Sequence, residues 1–132
     1  MEIKSIYPVF IVKNIAETRE FYTKYFGFQI SFELEWFLNL NHPSNSSHRL
    51  VFVKNDHESV PHFYLGKPLG FALDFEVSDA ESEYEVFQNL NVKMVQELRD
   101  ESFGERHFIV GDPDGVLINV TQRIPLSPEF AG

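Results

Sequence analysis

Residues 9–27 read VFIVKNIAETREFYTKYFG. The opening residues are β-branched or aromatic, and together with those before them they predict a strand over 4–12. Asn14 is suited to cap a helix, with Glu17 three residues on as its capping-box partner. Thr18, Phe21, Tyr22, Tyr25 and Phe26 then recur at helical spacing until Gly27 stops the helix. Pro8 cannot donate to a ladder, so the first strand belongs at a sheet edge or turns that position away from a partner. Further strands are expected over 28–34, 36–41 and 48–53, with NHPSNSSH (41–48) as a polar hairpin loop.

Residues 54–69 carry two prolines and mixed charge and read as a connector. The pattern then restarts. GFALDFEVSD (70–79) alternates, with Phe71, Leu73, Phe75 and Val77 on one face and Ala72, Asp74 and Glu76 on the other. Asp79 caps a second helix over 80–90, whose apolar stripe is Ala80, Tyr84, Phe87 and Leu90. Strands are expected over 92–98, 105–110 and 116–121. In GDPDGVLINV (111–120), Pro113 fixes φ, the aspartates can bond nearby amides, and Gly115 permits a positive φ. That turn aims the last strand, with Leu117, Asn119 and Thr121 on one face.

Laid over each other at an offset of 65 residues, the two halves agree. Val12 falls on Val77, Asn14 on Asp79, Phe21 on Val86, Tyr22 on Phe87 and Tyr25 on Leu90. Strand end, cap and apolar positions coincide, which predicts two βαβββ modules in an α+β fold. The expected arrangement is a half-open, barrel-like cup within one domain, 1–132. Module one covers 4–53, the connector 54–69, module two 70–121 and a tail 122–132. Each sheet packs a helix on one face and leaves the other to be covered or to enclose something.

Composition narrows the function. The net charge of −9 disfavours nucleic acid and anionic membrane as partners. The absence of cysteine excludes disulfides and thiolate chemistry. The N-terminus lacks a basic-then-apolar signal pattern and no apolar run approaches spanning length, so the expectation is a soluble cytoplasmic protein. Fourteen Phe, five Tyr and one Trp are a large ring area for 132 residues, and suggest an aromatic-lined cavity, an interface or a Phe-rich core.

The paired modules, FYTKYFGF at the first helix end and DPDG before the last strand resemble the vicinal oxygen chelate superfamily. This is also called the glyoxalase/bleomycin resistance/dioxygenase superfamily. The resemblance covers residues 4–122 and implies the fold more strongly than any one reaction. Enzymes of that superfamily hold a divalent metal in the cup through His, Gln or Glu. The resemblance carries their ligand positions onto Tyr7, Ala72 and Asn119, none of them a good ligand. His42, His48, His57, His62 and His107 form no HxH or HExxH pair and read as surface residues.

The chain is closer in this respect to the metal-free bleomycin resistance proteins, which bind a bulky cationic drug between two subunits. Pro8 in the first strand, Trp36 in the second hairpin and the acidity are similar to theirs. The resemblance therefore implies a homodimer that holds a cationic or aromatic small molecule with no metal or other cofactor. Tyr7, Trp36, Asp74, Glu76, His107 and Asn119 are the residues expected to line the cup. Trp36 would stack on the ligand unless it belongs to the core; Asp74 and Glu76 would attract positive charge; Tyr7 and Asn119 would offer hydrogen bonds. His107 lies on a strand whose register near Gly111 the sequence leaves open. The competing reading is a metal-dependent lyase, isomerase or dioxygenase using His107 or Glu76 with Asn119.

Overall fold

The computed structural model describes residues 1–61, 66 and 68–129. The chain divides into two compact units, Met1–Lys67 and Pro68–Gly132. Each has the order strand, helix, three strands. The first comprises β1 (Val9–Val12), α1 (Ile15–Phe26), β2 (Gln29–Leu34), β3 (Phe37–His42) and β4 (Asn45–Lys54). The second comprises β5 (Ala72–Glu76), α2 (Ala80–Gln88), β6 (Lys93–Glu101), β7 (Glu105–Gly111) and β8 (Leu117–Arg123). Sheet orders are β1-β4-β3-β2 and β5-β8-β7-β6. In each, the first strand runs parallel to the last, while the other pairs are antiparallel. The expected α+β fold of two βαβββ modules is therefore the observed one.

The caps work as the sequence implies. Asn14 Oδ1 accepts from Glu17 N at 2.9 Å, and Asp79 Oδ1 accepts from Ser82 N at 3.1 Å. Gly27 ends α1 in the left-handed region at φ 74°, where a side chain would be strained. In the GDPDG turn, buried Asp112 accepts from the amides of Asp114 (2.9 Å) and Val116 (2.8 Å), and Gly115 has φ 92°. This turn launches β8.

The helices cover one face of their own sheets. Phe52 lies beneath α1, 5.1 Å from the Tyr22 ring and stacked on Phe10 at 5.3 Å. Phe108 lies beneath α2, 5.3 Å from Tyr84 and 5.6 Å from Phe87. Phe52, Tyr22 and Phe108 are fully buried, and burying each such ring contributes about 2–3 kcal/mol.

Several boundaries differ from the sequence reading. The first strand begins at Val9, beyond Pro8, although β1 is an edge strand as expected. Pro8 contributes only its carbonyl, accepting from Val51 N at 3.2 Å. The 41–48 loop shrinks to a turn at Pro43 and Ser44, because residues 45–48 extend β4. Trp36 lies in the β2–β3 turn rather than on a strand. Helix α2 stops at Gln88, where the carbonyls of Val86 and Phe87 receive the Asn89 amide, so Leu90 follows the helix instead of joining its stripe. Val86 is 55% exposed, unlike its counterpart Phe21 at 6%. The tail folds back: Ile124 N donates to Gly104 O and Ser127 N to Ser102 O. Among the described residues no helix is long and apolar enough to cross a membrane.

Candidate functional site

Strand alternation places a polar set on the face of the second sheet opposite α2. Phe108, Val110 and Val120 point toward the helix, so His107, Ile109, Asn119 and Thr121 point away. Pairing sets two rows across this face. Asp74 lies beside Asn119, which lies beside Ile109. Glu76 lies beside Thr121, which lies beside His107, which lies beside Arg99. Asp74, not Ala72, is thus the cross-strand partner of Asn119; Ala72 lies opposite Leu117.

His107 is the centre of a network. It is only 7% exposed, contrary to the reading of the histidines as surface residues. Its Nε2 is 2.8 Å from Glu101 Oε2 and its Nδ1 is 2.8 Å from Asn119 Oδ1. Asn119 Nδ2 donates to Glu105 Oε1 at 2.8 Å. The protonation follows from the partners. An ionised carboxylate only accepts, so Glu105 fixes the amide of Asn119 with its nitrogen outward and its oxygen on His107. Nδ1 must then donate to that oxygen, and Nε2 must donate to Glu101. With both carboxylates ionised each ring nitrogen faces an acceptor, an arrangement that an imidazolium satisfies, and Gln96 Nε2 also lies 3.3 Å from His107 Nε2.

The acid–base balance agrees. Burial pushes the His107 pKa down, but hydrogen bonds to Glu101 and Asn119 and the charges of Glu105 and Glu101 hold it above the ordinary value. Glu101 is held below the usual carboxylate value by the hydrogen bond from His107 and then that from Arg99. Burial pushes Glu105 up, but the Thr121 hydroxyl, the Asn119 amide and His107 together bring it below. Thr121 Oγ1 is nonetheless buried with no hydrogen-bond partner of good geometry among the described residues.

The remaining expected residues are placed as follows. Glu76 accepts from Arg123 Nε at 2.9 Å on the exposed surface. Asp74 is exposed and forms no ion pair among the described residues. Trp36 has one face covered by His57, stacked 3.6 Å away at 8°. Tyr7, 39% exposed, lies beneath the Arg49 guanidinium at 3.9 Å. The structure brings His107, Asn119, Asp74 and Glu76 onto one face of the second unit, while Tyr7 and Trp36 belong to the first. His42 and His48, which flank the β3–β4 turn, do not form a pair; His42 Nε2 donates to Phe26 O at 2.8 Å and Nδ1 accepts from Ser44 N at 3.2 Å. His62 lies outside the described residues.

Glu101 and Glu105 escaped the sequence reading. The spacing of Glu105 and His107 by two on β7 was a usable signal. Glu101 was not, because register irregularities in β6–β7 between Met94 and Arg99 break the alternation that would have located it.

These residues do not fit a divalent metal. Ala72 has no donor, and the single oxygen of Asn119 is turned onto His107. Among the described residues no three His, Asp or Glu side chains are grouped to hold a metal ion.

A sheet of four strands built from β-α-β-β-β, made twice in one chain, defines a paired-module fold. Residues 5–120 match the model of the Glyoxalase/Bleomycin resistance protein/Dioxygenase superfamily, and the chain belongs to that superfamily. No curated protein matches it significantly in sequence. Among solved structures it resembles a glyoxalase/bleomycin resistance protein/dioxygenase family enzyme from Burkholderia phytofirmans PsJN, with TM-score 0.75 and 16% identity over 89% of this chain and 97% of that one. A glyoxalase-related enzyme from Fulvimarina pelagi gives TM-score 0.75 and 15% identity, over 92% and 89% of the two chains. A protein of unknown function from Agrobacterium tumefaciens str. C58 gives TM-score 0.72 and 19% identity, over 94% and 97%. At such identities the likeness is one of fold.

Proposed function

We propose that the chain is a cytoplasmic, metal-independent, homodimeric binding protein that sequesters a small cationic or aromatic molecule. The observation that carries this reading is the environment of Asn119. At the position where the resemblance expects a carboxylate ligand, both ends of the amide are engaged, the oxygen by His107 and the nitrogen by Glu105. With Arg99 on Glu101, the carboxylates of the network are engaged internally and present no cluster of lone pairs to a metal. Asp74, next to Asn119 on the exposed edge strand β5, is the carboxylate left to attract a ligand's positive group. The dimer is supported by the apolar side chains left exposed in both units, including Val9, Phe32, Leu34 and Phe71.

The test is calorimetric titration with cationic aromatic probes such as acriflavine, with and without chelator, on protein purified without added metal. Binding that chelator leaves unchanged and Asp74→Asn weakens several-fold is the expected result. At a hundredfold excess over Kd such a probe adds about 2.7 kcal/mol of stability, readable as a thermal shift. Stoichiometric Zn, Mn, Fe or Ni whose removal abolishes an activity would overturn the reading. Light scattering checks the dimer, and a monomer at working concentration would remove that part of it.

A further inference from the structure

Four of the five arginines are paired with carboxylates: Arg19 with Glu33, Arg99 with Glu101, Arg106 with Asp100 and Arg123 with Glu76. Arg49 is the exception. In a chain with twenty acidic residues it forms no ion pair among the described residues. It is half-buried and held in place by neutral groups. Its Nε donates to Asn39 Oδ1 at 3.0 Å, and its Cζ lies 3.9 Å from the Tyr7 ring centroid. The ring supplies cation–π attraction without consuming a donor. Holding Nε also limits the rotamers of a long side chain, so less entropy is lost when a ligand binds. What remains is the Nη edge of a guanidinium, an oriented fork suited to two parallel hydrogen bonds with a planar oxyanion.

The surroundings narrow the ligand further. Arg49 and Val51 share the sheet face opposite α1, because Phe52 between them and Val53 points to the helix. Val9 is the cross-strand partner of Val51 in the parallel pair, and Asn39 is its partner on the other side, followed by Phe32. Val9 and Phe32 are 53% and 52% exposed. One end of this face is therefore cationic and hydrogen-bonding, and the adjoining part is apolar.

We propose that Arg49, poised by Tyr7 and Asn39, binds the carboxylate of a small apolar or aromatic acid whose body lies against the exposed Val9 beside Tyr7, Val51 itself being buried. This goes beyond the function proposed above, which puts a ligand's positive group on the second unit, and it does not depend on it. An acid without an amine tests Arg49 alone.

The test uses the full chain, labelled with nitrogen-15, titrated with 1-naphthoate and separately with 1-naphthylmethanol, its uncharged counterpart. The Nε–H resonance of Arg49 should shift saturably with the acid while those of the other four arginines stay in place. The alcohol should bind about tenfold or more weakly, the worth of a charge-assisted pair. Arg49→Met, which keeps the apolar stem, should raise the Kd for the acid by a similar factor. Arg49→Lys should fall between, since it restores charge without the fork. Equal affinity for acid and alcohol, an Arg49 resonance that does not respond, or an unchanged Kd in Arg49→Met would each overturn the proposal. If Arg49→Met fails to fold, the comparison of acid and alcohol on the native chain decides it. A carboxylate from a second copy on Arg49 would show as no response to the acid together with a loss of dimer in Arg49→Lys, and would equally overturn it.

Discussion

The two units have one topology and two chemistries. Their helix-covered faces are variations on a theme: Phe52 under Tyr22 in the first unit, Phe108 under Tyr84 and Phe87 in the second. Their opposite faces share almost nothing. The first shows exposed Val9 and Phe32 together with Arg49, which has no carboxylate partner among the described residues and lies over Tyr7. The second holds a hydrogen-bonded network in which Glu101, Glu105 and Asn119 surround His107, with Arg99 on Glu101. The difference shows where each kind of information resides. Fold is repeated through the face that touches the helix, and specificity diverges on the face that does not.

The largest effects should come from the shared face. Phe52→Ala and Phe108→Ala should each cost about 3–5 kcal/mol by urea denaturation, because each removes a fully buried ring between aromatic neighbours. A loss in one unit many times that in the other would break the claim that the two cores do the same work. The next effect separates the units. His107→Ala should cost about 2–3 kcal/mol, since the Asn119 oxygen loses its donor and Glu105 loses a neighbouring cation. His42→Ala, which removes one hydrogen-bonding ring at the end of α1, should cost about 1 kcal/mol.

The dependence on pH sharpens the contrast. Glu101 and Glu105 are lowered from 4.5, so their contribution is present above that value and is lost as pH falls through their folded values. His107 is raised from 6.5, so its contribution is complete below that value and is lost as pH rises through its folded value. The network should therefore be most stabilising between 4.5 and 6.5. A melting-temperature profile that keeps its alkaline decline in His107→Ala would assign that decline to another group. The smallest effects concern the helix ends. Asn14→Ala should cost about 1 kcal/mol by the same denaturation assay, through loss of the bond to Glu17 N. Gly27→Ala should cost about 1 kcal/mol because φ 74° is strained for alanine.

Much of the fold was legible because its determinants are local. Asn14, Asp79, Gly27 and the Asp112 turn act within five residues of themselves, and strand alternation alone puts Asn119 and Thr121 on one face. The misread pieces depended on partners distant in sequence. Residues 45–48 became strand because Asn45 pairs with His42 of β3 and the next pair is Asn41 with Arg49, which carries the intervening residues along, not through their own propensity. Trp36 is partly occupied because His57 comes to it from beyond β4. The candidate site was half legible. His107 and Asn119 stood out by type, but Glu101 joined them only through an irregular hairpin register.

The sequence by itself determined a doubled βαβββ chain, because caps, turns and apolar periodicity are short-range and were written twice. It also determined that the ligand positions implied by the resemblance are poor ones, since that depends on side-chain type alone. Only the tertiary structure decided the direction of the His107 pKa, because that depends on what both ring nitrogens face. Only it distinguished Arg49 from four other arginines, because having no carboxylate partner among the described residues is a property of neighbours brought together by the sheet.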